Sequence, residues 1–291
     1  MRSEVVCDGV RFGEGPVWCG DGILVVTSVA DGALLRVDVA NGDVSRFADT
    51  GGGANGAALA ADGSLLVTQN GGIDFAGLGL YAVDPPEYRP ATPGLQHARA
   101  DGSVVYLADR DLLAPNDLAV ARDGRVFFTD PPRHPPPPEP VGRVMVLERD
   151  GTVSTFAEGF HYCNGIAFTP EGVVVVVEGR GLQALHDDGT REWAVETLGP
   201  GGGDGFCYDV DGRAYVASTN EHGIRVVDAD GTVVDFLAID GDGINTNCCF
   251  GGADLRTLFT TDAIAGTVVA WEGMPTPGLE LPTWPGLASG T

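Results

Sequence analysis

The 291-residue chain has no lysine; its 17 basic residues are all arginine. That absence removes the Walker A lysine, the Schiff-base amine and the base of a Ser–Lys dyad. HExxH, GxSxG and CxxC are missing too, and with them several familiar hydrolase and redox classes. Basic residues are outnumbered by 41 acidic ones, giving a formal net charge of −24. Such a charge argues against nucleic acid, whose binding needs a basic patch to displace counterions, and against anionic membrane surfaces. It reads as a solubility or salt-adaptation feature. No apolar run approaches the roughly 20 residues of a membrane span, and "MRSEVVCDGV" is not a charged-then-apolar leader. A cytoplasmic protein is expected. The six cysteines, with Cys248 and Cys249 adjacent, read as buried thiols rather than disulfides.

Helical periodicity is also scarce. What the chain has instead is 44 glycines, 19 prolines and many short apolar runs, the composition of strands joined by tight turns. One unit recurs six times: "EGPVWCGDG" from Glu14, "NGAALAADG" from Asn55, "NDLAVARDG" from Asn116, "NGIAFTPEG" from Asn164, "DGFCYDVDG" from Asp204 and "NCCFGGADL" from Asn247. In each copy an oxygen-bearing side chain precedes an Asp or Glu by seven residues, and a second strand such as "ILVVTSV" or "RVFFTDP" follows. A third strand is expected in "ALLRVDV", "LYAVD", "RVMVLER", "IRVVDAD" and "TVVAWEG". Unit starts 41, 61, 48, 40 and 43 residues apart match propeller blades of about 40–50 residues.

The predicted fold is an all-β six-bladed propeller of four-stranded blades around a central metal-binding channel. Residues 1–291 are read as one domain, with 274–291 a tail that packs along a rim or frays. Residues 3–10 are expected to supply the outer strand of the last blade. The 61-residue unit is expected to carry extra loop in "EYRPATPGLQHARADG", and "DPPRHPPPPEPVG" to form a stiff rim loop at a pocket mouth.

Innermost strands of a propeller converge at one mouth of the channel, so Glu14, Asn55, Asn116, Asn164, Asp204 and Asn247 are predicted to form a ring. Asn-Gly and Asp-Gly are common turn dipeptides, which is the plainer explanation for three copies. Asn116 is followed by Asp117 rather than glycine, however, and the first copy uses glutamate. Buried oxygens need a partner, and two nearby carboxylates need one more urgently. A divalent cation satisfies both. Amide and carboxylate oxygens without clustered His or Cys favour Ca2+, with Mg2+, Mn2+ or Zn2+ as substitutes.

"EGPVW", "PND", "NGIAF", "GDGFCYDVDG" and "TNCCFGGADLRTLFTTDA" together resemble the SMP-30/gluconolactonase/LRE family across nearly the whole chain. The resemblance implies a six-bladed propeller with a channel metal held by Glu14, Asn116, Asn164 and Asp204. It implies a calcium-dependent hydrolase of lactones or related esters, a group that also includes phosphotriesterases. The pattern departs from the family at Ala114, where animal members carry an arginine, at Cys163, where proline is common, and in the short fourth blade. The metal thus reads as retained and the substrate pocket as changed.

On that reading Asp204 is the candidate base or nucleophile and Glu14 a ligand of the catalytic centre. Asn55, Asn116, Asp117, His161, His134 and Asn247 are candidates for contact with a small-molecule substrate. Two alternatives stay open: a non-hydrolytic biosynthetic enzyme performing a cyclisation or isomerisation on the same scaffold, and a non-catalytic propeller with structural calcium.

Overall fold

In the computed structural model, which describes residues 2–81 and 83–288, the chain opens on strand β1 (Glu4–Cys7) and then builds sheets in succession. The first is β2 (Gly13–Trp18), β3 (Ile23–Ser28), β4 (Ala33–Asp38) and β5 (Asp43–Asp49). The second is β6 (Ala54–Leu59), β7 (Leu65–Gln69), β8 (Gly94–Ala98) and β9 (Val104–Ala108), with a short helix α1 (Phe75–Leu78) inside it. The third comprises β10 (Leu118–Val120), β11 (Val126–Asp130), β12 (Gly142–Leu147) and β13 (Val153–Phe160). The fourth comprises β14 (Cys163–Phe168), β15 (Val174–Glu178), β16 (Gly181–Leu185) and β17 (Arg191–Val195). The fifth is β18 (Phe206–Tyr208), β19 (Ala214–Ser218), β20 (Gly223–Val227) and β21 (Val233–Ala238).

The sixth sheet holds β22 (Asn245–Gly251), β23 (Thr257–Asp262) and β24 (Thr267–Trp271), and β1 completes it by pairing antiparallel with β24. The N-terminal strand thus closes the circle, as the residues 3–10 implied. Every sheet is an antiparallel meander of four strands, so the fold is the expected six-bladed propeller.

Hydrophobic burial explains why the blades stack. One apolar cluster lies at each of the six blade interfaces: Val25, Leu34, Leu65 and Val67 join blades one and two, and Val175, Val177, Phe206 and Val216 join four and five. Each blade buries both faces, which is why its inner strands read as continuous apolar runs. The turns follow local chemistry. Asp21 and Gly22 have φ of 50° and 76°, and the Ile23 N–H donates to the Gly20 carbonyl at 2.9 Å; a tight hairpin with positive φ at both central residues is the Asp-Gly signature.

The second blade corrects the sequence reading. The third strand is β8, inside the stretch read as extra loop, and not "LYAVD", of which residue 82 lies outside the described residues. The insertion lies instead between β7 and β8. Pro85, Pro86 and Pro90 lack the N–H a ladder needs, and Tyr81 leaves the blade to pack on Phe75 and to donate to the Ala263 carbonyl at 2.9 Å.

Over its described part the tail packs first along the turns of blades six and five; residues 289–291 lie outside the described residues. Met274 N–H donates to Arg256 O, Gly278 N–H to Leu255 O and Leu279 N–H to Tyr208 O. The segment then crosses to blade two, where Trp284 N–H donates to Leu59 O at 2.9 Å and Ala61 N–H to Trp284 O at 2.8 Å. Blades five and two are opposite one another, so residues 280–283 form a strap across one end of the channel.

Candidate functional site

The ring forms. Glu14, Asn55, Asn116, Asp204 and Asn247 are 3–7 % exposed, and Asn164 is half-buried. Four of the six are followed by glycine, and the reason is not a turn. A Cβ on Gly15 would meet the Asn55 carbonyl oxygen at 2.5 Å, one on Gly56 the Asn116 oxygen at 2.8 Å and one on Gly165 the Asp204 oxygen at 2.3 Å. A Cβ on Gly205 would stand 2.1 Å from the Asn247 side chain. Each glycine lets the next blade's ring residue come close to the axis.

Acidic residues at the ends of second strands hold the segments that lead into the ring. Asp130 accepts the N–H groups of Leu113 and Ala114 at 2.8 and 2.9 Å and pairs with Arg143 at 2.5 Å. Glu178 likewise accepts from His161 and Tyr162.

The electrostatics are unbalanced. Side-chain oxygens of Glu14, Asn55, Asn116, Asn164 and Asp204 are buried and have no hydrogen-bond partner among the described residues. Burial, then the charges of Asp204 and Asp117, pushes the Glu14 carboxyl far above its ordinary range. Burial and the Asp117 charge do the same to Asp204, against the pull of the Gly205 N–H and the Asn164 amide. Burial lifts Asp117 to about 7, opposed by the Asn247 amide. Five unpartnered oxygens and crowded carboxylates favour a cation or protons among them. Among the described residues no three His, Cys, Asp or Glu side chains are arranged to hold a metal. Any cation here must therefore draw on amide oxygens, which suits a hard ion.

The predicted substrate contacts divide. Asn55 joins the unpartnered oxygens. Asn247 and Asp117 are engaged with one another: Asn247 Nδ2 donates to Asp117 Oδ1 and Oδ2 at 2.8 and 3.0 Å, and Asn247 Oδ1 accepts from the Cys248 N–H. Their bond spans the channel between opposite blades three and six. On one side of it a cavity of about 1260 Å3 widens toward the turns at Asp21, Asp123 and Glu171 and ends at the strap. Glu14, Asn55, Asn116, Asn164 and Asp204 are not among its walls; they lie on the other side of the bridge, toward the end that carries the 131–141 loop.

His161 is exposed, and its backbone N–H donates to Glu178. His134, in the proline-rich loop, packs against Tyr162 with ring centroids 4.5 Å apart and planes tilted by 39°. Tyr162 itself escaped sequence reasoning. Burial and the nearby charges of Asp204, Cys163 and Glu14 raise its hydroxyl pKa. The signal was present, two residues before Asn164, but an aromatic there looks like ordinary strand packing. The cysteines are free thiols, Cys163, Cys207, Cys248 and Cys249 all buried, as expected.

Comparison with known proteins agrees with the fold. The family model described as SMP-30/Gluconolactonase/LRE-like region matches residues 12–264. A pentonolactonase of Haloferax volcanii is 29 % identical over 281 residues, covering 90 % of this chain and 84 % of that protein. A gluconolactonase of Zymomonas mobilis is 24 % identical, with 88 % and 77 % covered. Among solved structures, a gluconolactonase of Xanthomonas campestris superposes with a TM-score of 0.76 at 25 % identity, covering 96 % of this chain and 89 % of that one. A calcium-binding regucalcin of Agrobacterium tumefaciens shares the fold at a TM-score of 0.78 and 18 % identity, covering 97 % of each chain. No helix among the described residues is long and apolar enough to cross a membrane.

Proposed function

Because the chain belongs to the SMP-30/gluconolactonase/LRE-like family, we propose that it is a divalent-cation-dependent lactonase that opens a sugar-type lactone. Enzymes of the carboxylic-ester hydrolase class are its named relatives, a pentonolactonase and gluconolactonases. The single observation that carries the cation is the set of buried, unpartnered oxygens on Glu14, Asn116, Asn164 and Asp204, with Asn55 beside them. Glu14, Asn116, Asn164 and Asp204 would hold the ion, calcium before magnesium because neutral amides and two carboxylates suit a larger, more flexible shell. Free thiols throughout fit a reducing compartment such as the cytoplasm.

A bound Ca2+ would supply Lewis acidity, polarising the lactone carbonyl and countering the oxyanion that develops. The chain's own residues account for the remaining tasks. Asp204 is the carboxylate best placed to take a proton from water or to attack, since no Ser or Cys triad accompanies the ring. Tyr162 keeps its proton beside Asp204 and Glu14 and donates a hydrogen bond to a substrate oxygen. The His134–Tyr162 ring contact narrows the approach from the 131–141 loop. The Asp117–Asn247 bridge closes the floor under the ring and limits substrate to that approach.

A panel of aldonolactones and aliphatic γ- and δ-lactones, assayed with calcium and after chelation, tests this reading. Calcium-restored hydrolysis that Asp204→Asn abolishes, and that Tyr162→Phe lowers about tenfold for the loss of one hydrogen bond, supports it. A protein that takes up calcium yet opens no lactone contradicts it.

A further inference from the structure

The second strand of each early blade carries a buried threonine at one position: Thr27, Thr68 and Thr129, each 13 residues after its own ring residue. Thr27 Oγ1 donates to the Asn55 carbonyl, Thr68 Oγ1 to the Asn116 carbonyl and Thr129 Oγ1 to the Asn164 carbonyl, the last at 2.7 Å. Each reaches into the next blade. Two of them also accept from their own blade just behind the ring residue: Gly56 N–H donates to Thr68 Oγ1 at 2.8 Å and Asp117 N–H to Thr129 Oγ1 at 3.1 Å. The result is a chain of hydrogen bonds around the channel, from Thr27 through Asn55–Gly56, Thr68, Asn116–Asp117 and Thr129 to Asn164.

We infer that Thr68 and Thr129 are positioning residues that preset the amide oxygens of Asn116 and Asn164 for a hard cation. The inference rests on the cation reading given above. The molecule contains its own control. In blade six the same position is Thr260, whose hydroxyl stays within its own blade on the Asn247 carbonyl at 2.8 Å, while in blade four it is Val177, buried among Phe206 and Val216, and in blade five Ala217. Blades four and five have the same strands and close equally well, so the propeller does not need a hydroxyl there.

The distribution has a physical reason. The hydroxyl chain ends on the carbonyls of three asparagines, whereas the carbonyl of Asp204 meets Val177's blade and receives no hydroxyl among the described residues. A neutral amide binds a cation weakly and gains most from being held in place; a carboxylate attracts the ion by charge. Groups one bond removed from a ligand commonly change metal affinity by about 10–100-fold.

The test is calcium binding by calorimetry on chelator-treated full-length protein, alongside urea unfolding in chelator. Thr129→Val and Thr68→Val are isosteric, and blade four already carries valine at this position in Val177. Each should weaken calcium binding about tenfold, and Thr129→Ser should restore it by returning the hydroxyl. Valine variants that bind calcium like wild type, with or without lower stability, overturn the inference and leave the cation reading intact. Wild type that takes up no divalent cation removes the cation reading and this inference with it. Should Thr129→Val not fold, Thr68→Val decides through Asn116.

Discussion

Asn247 and Asp117, 130 residues apart and on opposite blades, are joined across the channel by hydrogen bonds of 2.8 and 3.0 Å. Asp117 is buried and this amide is its side-chain donor. Asn247→Leu leaves the carboxylate buried without it, and such an uncompensated acceptor costs about 1–3 kcal/mol. Urea unfolding in chelator should show that loss; an unchanged midpoint would mean the bridge does not form in solution.

The ring makes an opposite prediction for Glu14. Its carboxylate is buried against Asp204 and Asp117, so without a cation the repulsion opposes folding. Glu14→Gln should therefore raise the melting temperature in chelator. It should also lose the stabilisation that calcium gives wild type, about 2.7 kcal/mol at a hundred times Kd. Thermal melts with and without calcium check both signs. A variant that melts lower in chelator and still gains from calcium would remove Glu14 from the site.

Trp284 anchors the strap to blade two, where it is 4 % exposed and packs edge-on against His97 at 5.3 Å. Trp284→Ala should cost about 3–5 kcal/mol, the usual range for a buried tryptophan. If unfolding is unaffected, the strap is not held across the channel.

Much of this was legible in the chain and some was not, for identifiable reasons. The blades were readable because the channel imposes one polar position per blade and the turns repeat their Asp and Gly. The ring was readable because its oxygens recur in register. Partnerships across the channel, such as Asp117 with Asn247, leave no periodic trace. The same is true of Trp284 on blade two. The third strand of blade two was misplaced because "LYAVD" has strand composition, and only the prolines after it, with Tyr81 drawn off to Phe75, exclude it from the sheet. The glycines after ring residues looked like turn formers, yet their role is close approach between blades.

Five exposed turns carry a pH dependence. Asp62, Asp101, Asp150, Asp188 and Asp230 each accept the backbone N–H two residues on at 2.9–3.0 Å. Hydrogen bonds from Ser64, Ser103, Thr152, Thr190 and Thr232 hold these carboxyls below their ordinary range. A depressed folded pKa stabilises above the unfolded value of about 3.9, and that contribution is lost as pH falls through the depressed value. Urea midpoints should therefore drop as pH is lowered below about 4. Ser103→Ala with Thr190→Ala should make the drop shallower; an identical acid limb would contradict the assignment.

The central claim is that the buried oxygens form a cation site, and a crystal soaked with calcium or terbium tests it most directly. The account predicts one anomalous peak on the channel axis, about 2.3–2.6 Å from oxygens of Glu14, Asn116, Asn164 and Asp204. A soaked crystal with no peak there, or with the ion bound only outside the channel, would contradict it.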